Sequence, residues 1–153
     1  MQEVRVRAVE FLKYLSFRGG RYDLWKIAVK NLLHPDIRIR TNVLGLVTSL
    51  MYKDYLFTKE AAYSCFTSTS YDVQSTGIAL YGALVDKGQF LDEALSIVER
   101  AFKSESAEVR KSAVVLLAKL ATQPGSINNS LRFCHPKCLG VWFAFFAPYS
   151  RPS

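Results

Sequence analysis

The sequence predicts an all-α fold built from repeated helix pairs, and three observations support this prediction. One motif occurs four times, at starts separated by 33, 36 and 36 residues. Within each copy the apolar residues are spaced as on one face of an α-helix. The 153 residues include only eight Gly and five Pro, too few for the many tight turns of an all-β fold. Half of the residues are hydrophobic and 22% are charged, which is typical of an ordered globular chain.

Each copy of the motif contains an acid, a β-branched aliphatic residue, Arg or Gln, a small residue and then an apolar residue. The positions at offsets 0, 4, 7 and 11 from the aliphatic residue lie on one helical face. We expect the acid to cap the helix N-terminus and the small residue to admit a neighbouring helix. The acids are Glu3, Asp36, Asp72 and Glu108, the aliphatics Val4, Ile37, Val73 and Val109, the third residues Arg5, Arg38, Gln74 and Arg110, the small residues Ala8, Thr41, Gly77 and Ala113, and the last apolar residues Phe11, Leu44, Leu80 and Leu116.

Three further helices are expected between the copies, at residues 22–33, 55–66 and 90–102. The first ends before Pro35, because the residue preceding a proline disfavours the helical region. Gly88 is expected to be the C-cap of the helix before the third. The predicted order is half a repeat followed by three helix pairs, which places a repeat domain at residues 1–122 and an irregular apolar tail at residues 123–153.

The motif resembles the second helix of a HEAT repeat, most clearly in LLHPDIRIRTNVLGLV and SESAEVRKSAVVLLAKLA. The resemblance covers roughly residues 3–122, and armadillo repeats are the nearest alternative. Gln74 departs from the pattern, because Arg is usual at that position. The resemblance implies a right-handed α-solenoid of antiparallel helix pairs, with about three and a half repeats. It also implies that the second helices, near residues 3–17, 36–52, 72–86 and 108–121, line a concave surface that binds other proteins.

Charge and cysteine content narrow the function classes. The net charge of +7 is unevenly distributed: residues 1–53 have ten Lys/Arg against four acids, whereas residues 54–104 have four against seven. Three cysteines, an odd number, and the absence of an export signal at the N-terminus favour reduced thiols in the cytoplasm or nucleus. The longest apolar run, residues 139–147, is about half of the ~20 residues that span a bilayer.

The sequence predicts no catalytic, cofactor or metal site. His34 is interpreted as a helix C-terminal residue rather than a general base, since no nucleophile or acid is placed beside it. Cys134, His135 and Cys138 lack the second ligand pair of a structural zinc site. We therefore expect a non-enzymatic protein.

The predicted partner-binding residues are Arg7, Arg40, Tyr14 and Lys111. Arg5 and Arg38 occupy the repeat's own Arg position, where a structural role bridging to acids of the next repeat is expected. Arg7 and Arg40 lie two residues further on and are predicted to reach solvent or a partner. Exposed aromatic rings near these arginines would form a binding hot spot.

Three explanations remain open for the tail: a strap over the last helix pair, a membrane-surface or lipidated anchor, and a terminus outside the evolved fold. A fragment or splice form of a longer repeat protein would explain both ends of the chain. The predicted function is a protein-interaction scaffold or adaptor. The alternative is a binder of nucleic acid or anionic surfaces through the basic N-terminal half.

Overall fold

The computed structural model describes residues 22–124 and, before them, residues 3, 4, 7 and 8, which are helical. Residues 22–124 form six α-helices and no strand, so the all-helical prediction is confirmed for this part of the chain. Short 3₁₀ turns, Asn31–Leu33 and Met51–Lys53, follow the first two helices. The helices are α1 Tyr22–Lys30, α2 Ile37–Leu50, α3 Tyr55–Phe66, α4 Tyr71–Asp86, α5 Leu91–Phe102 and α6 Ala107–Ala121.

The helices pack as consecutive pairs: α1 with α2, α3 with α4, and α5 with α6. Residues 67–70 join the two helices of the second pair, and residues 103–106 join those of the third. Because these connections are short, the two helices of each pair are neighbours. Helix α4 lies at the centre, because it also contacts α2 on one side and α6 on the other. One continuous hydrophobic core runs through all three pairs.

The second helices α2, α4 and α6 begin at the same position of the repeat. Their N-caps are Asp36, Ser70 and Ser106, spaced by 34 and 36 residues. Asp36 accepts a hydrogen bond from the Arg38 N–H at 2.9 Å. The Ser106 hydroxyl accepts one from the Val109 N–H at 3.5 Å. The N-cap residues of α4 and α6 are serines, of which Ser106 but not Ser70 makes a capping hydrogen bond with its side chain, and the acids predicted to cap these helices, Asp72 and Glu108, lie within the first turn.

This common start shows that the predicted register of α2 is wrong by two residues. Ile37, predicted to be buried, is 62% exposed, whereas Ile39 is buried. The sequence Ile37-Arg38-Ile39-Arg40 repeats one dipeptide, so the aliphatic and Arg positions of the motif fit both registers, whereas its acid and small positions fit only the one that starts at Ile37. The register with Ile39 buries every core position of the three helices, namely Ile39, Val73 and Val109, then Val43, Gly77 and Ala113, then Leu46, Leu80 and Leu116, then Leu50, Leu84 and Leu120.

In the first copy of the motif the predicted burial is also contradicted where the structure describes it. Val4 is 68% exposed, and Ala8 is exposed as well. The remaining predicted core residue of that copy, Phe11, lies outside the described residues.

The small position admits a neighbouring helix at Gly77. A Cβ atom there would lie 2.6 Å from the Ala62 carbonyl oxygen and 2.7 Å from the Phe66 nitrogen, both backbone atoms of α3. Contacts of that length are repulsive, so Gly77 sets how closely α3 and α4 pack.

Lysines of one helix pair lie over phenylalanine rings of the next. Lys26 Nζ of α1 is 5.6 Å from the Phe57 ring centroid in α3, and Lys59 Nζ of α3 is 5.1 Å from the Phe90 ring centroid before α5. Each contact joins one helix pair to the next, with Phe57 three residues after the N-cap of α3 and Phe90 itself the N-cap of α5. Such cation–π contacts are worth about 0.5–1 kcal/mol each at exposed sites.

Candidate partner-binding surface

Arg40 does not belong to an exposed surface. It is only 2% exposed, and its Nη1 donates hydrogen bonds to the carbonyl oxygens of His34 and Pro35, both at 2.7 Å. These carbonyls follow the end of the first helix, where the helix dipole favours a cation. The prediction that Arg40 reaches solvent or a partner is therefore wrong, because its guanidinium is held inside the turn between α1 and α2.

The same hydrogen bond recurs in the other two pairs. Gln74 Nε2 donates to the Ser68 carbonyl at 2.7 Å. Arg110 Nη1 donates to the carbonyls of Ser104 at 2.7 Å and Glu105 at 2.8 Å. Each donor lies four residues after its N-cap, so this position closes the turn between the helices of a pair. Gln74 thus preserves the hydrogen bond at the position where the sequence departs from the motif.

Arg38, predicted to bridge to a neighbouring repeat, is exposed on α2. It pairs with Asp36 of its own turn, Nη2 to Oδ2, at 3.4 Å. The N–H and the guanidinium of Arg38 both lower the pKa of Asp36. Arg40, not Arg38, is thus the buried arginine of α2, and it binds carbonyls of the preceding turn.

Lys111 is exposed, as a partner-binding residue must be. In the observed register its equivalents are Thr41 in α2, which is exposed, and Ser75 in α4, which is half-buried. One helical turn further on, Gly45, Ala79 and Val115 are equivalent to one another and all exposed. Residues four apart lie on the same side of a helix, and α4 lies between α2 and α6. We call these six residues the second-helix face: Thr41, Gly45, Ser75, Ala79, Lys111 and Val115.

The second-helix face is mostly small and uncharged, with one lysine at the α6 end. Three of its members have side chains no larger than a methyl or hydroxymethyl group: Gly45, Ser75 and Ala79. Beside it, the Lys119 ammonium of α6 pairs with the Asp86 carboxylate of α4, which ties the two helices together. Small side chains leave room for the backbone of another segment to approach the helices.

The reactive side chains that the structure describes have structural roles. His34 Nδ1 accepts a hydrogen bond from the Asp36 N–H at 3.0 Å, within the turn before α2. Cys65 is buried, and this burial raises the pKa of its thiol to about 11, against a smaller opposite effect of Arg40. Its thiol is therefore protonated at neutral pH and is a poor nucleophile.

The remaining predicted residues are placed only in part. Arg7 is exposed. Tyr14 lies outside the described residues, as do Cys134, His135 and Cys138. Among the described residues no three His, Cys, Asp or Glu side chains come together as metal ligands would. In the same part of the chain no helix is long and apolar enough to cross a membrane.

Sequence reasoning missed most of the second-helix face. The signal that could have found it is the serine two residues before Asp72 and Glu108, since Ser is a strong N-cap and fixes the start of each helix. No protein-family model matches the chain, and no curated protein matches it.

Proposed function

We propose that the chain is a non-enzymatic protein-interaction scaffold that holds a segment of a partner protein on its second-helix face. In this proposal the helix pairs continue as a right-handed α-solenoid of the HEAT or armadillo type. The observation that carries it is the alignment of three equivalent exposed positions, Gly45, Ala79 and Val115, on three adjacent helices. One turn earlier, the exposed Thr41 and Lys111 widen this surface on α2 and α6, whereas the hydroxyl of Ser75 between them is buried.

The chemistry of this surface suits a polypeptide. Repeat stacks form extended surfaces on one side of their helices. The small residues at the centre let a partner backbone come close. The exposed Thr41 hydroxyl donates to the Ile37 carbonyl, so its oxygen is left to accept a hydrogen bond from a partner N–H. Lys111 favours an acidic side chain of the partner at the α6 end.

The proposal is tested by a matched pair of substitutions in the full chain. Ala79→Arg puts a long charged side chain in the centre of the second-helix face, whereas Ser96→Arg puts the same side chain on the exposed side of α5. Each purified variant is used to retain proteins from a cell lysate, which are quantified by mass spectrometry. We expect Ala79→Arg to reduce at least one partner retained by the original chain by tenfold or more, and Ser96→Arg to retain it fully.

Thermal melting monitored by circular dichroism is the control for folding, because surface substitutions usually change stability by less than about 0.5 kcal/mol. Equal retention by both variants would remove the second-helix face as the site. The competing function, binding of nucleic acid or anionic surfaces, predicts instead a steep loss of binding between about 50 and 200 mM salt.

A further inference from the structure

Helix α6 exposes apolar residues whose equivalents in α4 are buried. In α4, Ile78 is 1% exposed, and Gly82 is buried against α6, with its Cβ position 3.3 Å from Lys119 Cδ. The equivalent residues of α6 are Val114, which is 43% exposed, and Ala118, which is exposed. We call the α6 residues of this side the outer flank: Val114, Leu117, Ala118 and Ala121, equivalent to Ile78, Tyr81, Gly82 and Val85 of α4.

The outer flank has the properties of a packing surface. Its four residues are all apolar, and their four equivalents in α4 are all buried. Ala118 lies seven residues after Lys111 and three after Val115, on the same side of α6, so the outer flank borders the second-helix face. Its occupation by a segment of the same chain is measured without any partner protein, which keeps this test separate from that of the proposed function.

We propose that the outer flank is covered by residues 139–147 of the same chain. Every residue of this segment, LGVWFAFFA, is apolar, and no acid occurs anywhere in residues 125–153. The segment comes after α6 in sequence, beyond the described residues. An aromatic segment of this kind gains by leaving water for an apolar surface.

The connection is long enough. Residues 125–138 can extend to roughly 45 Å at about 3.3 Å per residue. Helix α6, with 15 residues, is only about 22 Å long at about 1.5 Å per residue. The segment can therefore reach any part of the outer flank from the end of α6.

The tether also favours this occupant over a second copy of the chain. A segment joined by a short connection has an effective concentration near the millimolar range. A second copy would have to compete from a much lower concentration, so the segment of the same chain occupies the flank first.

The chain's own cysteines allow a direct test by cross-linking. In a full-length chain with Cys134→Ser, Ala118→Cys places one thiol on the outer flank, while Cys138 directly precedes the apolar segment. Cys65 is buried and does not compete. The matched control carries Ser96→Cys, an exposed position on α5, in place of Ala118→Cys.

Under mild oxidation of dilute protein, we expect an intramolecular disulfide between positions 118 and 138 at least tenfold faster than between 96 and 138. Peptide mapping by mass spectrometry identifies the bond. Equal rates for the two chains would overturn the proposal. A disulfide between two molecules through position 118 would also overturn it, because a second copy would then cover the flank.

Amide exchange measured without new cysteines keeps the proposal testable if Ala118→Cys disturbs folding. The full chain carrying Trp142→Ser, Phe143→Ser and Phe145→Ser is compared with the original chain. We expect exchange in residues 107–121 to rise at least tenfold, while exchange in residues 55–86 stays unchanged. Unchanged exchange in residues 107–121 would show that the segment does not cover α6, and a rise throughout residues 55–121 would overturn the proposal by showing a global effect instead.

Discussion

Arg40 carries a positive charge into the interior without an acidic partner among its hydrogen bonds. Two backbone carbonyls, those of His34 and Pro35, receive its guanidinium, and Nε is buried without a hydrogen-bond partner among the described residues. Removing the Arg40 side chain would leave both carbonyls unpaired, and the free-energy cost of two unpaired carbonyls exceeds what the hydrogen bonds themselves contribute.

We expect Arg40→Leu to lower the free energy of unfolding by about 3 kcal/mol, since it removes two hydrogen bonds from a charged donor. Arg38→Leu, two residues earlier, should cost less than about 1 kcal/mol, because the Arg38 side chain is 58% exposed and ion pairs of exposed side chains contribute little. Urea denaturation followed by circular dichroism measures both. Similar losses for the two substitutions would contradict the structural role of Arg40.

Gly45 of α2 and Gly77 of α4 make a second matched pair. Gly77→Ala should destabilise the protein by about 1–3 kcal/mol, because the new Cβ overlaps the α3 backbone. Gly45→Ala should stabilise it by up to about 1 kcal/mol, since alanine favours the helix and no atom lies within 4 Å of its Cβ position. Thermal melting of both variants checks the prediction, and a stabilising Gly77→Ala would mean that α3 and α4 are further apart than described.

At the scale of the helices, the sequence predicted the existence and type of the helices and the register of α4 and α6 correctly, but the register of α2 wrongly. The expected helix at residues 55–66 is observed as Tyr55–Phe66, and the one at residues 90–102 as Leu91–Phe102. The register of α2 failed because the motif places its aliphatic residue directly after the acid Asp36, whereas the buried residue is Ile39, three positions after that N-cap. In α4 and α6 the N-cap is a serine two residues before the acid. Packing against neighbouring helices, which decides burial, is not visible in one local stretch of sequence.

Substitutions at the two registers of α2 should differ strongly. Leu46→Ala should cost about 2–5 kcal/mol, the usual loss for a fully buried leucine. Ile37→Ala, at the position that the sequence motif predicts to be buried, should cost less than about 0.5 kcal/mol, as for an exposed site. Chemical denaturation gives both values, and a larger loss for Ile37→Ala would restore the register predicted from sequence.

At the scale of the whole molecule, the amphipathic spacing was enough to predict packed helix pairs, because burial of one apolar face dictates such pairing. The candidate site was harder to predict. Lys111 is exposed, as predicted for a partner-binding residue, but the predicted exposure of Arg40 was wrong. The sequence did not predict the exposed row formed by Gly45, Ala79 and Val115. An exposed row of small residues has no signal of its own in the sequence, since it appears only when the three helices are aligned by their caps.

The central claim is that one partner segment lies along the second-helix face, across α2, α4 and α6. Photo-cross-linking tests it most directly, with benzoylphenylalanine placed singly at Gly45, Ala79 or Val115, and at Ser96 as the control. We predict that the same protein is captured from the first three positions and not from Ser96, and that peptide mapping places the three cross-links in one contiguous segment of that protein. Capture of the protein only from Ser96, or equally from all four positions, would contradict the claim.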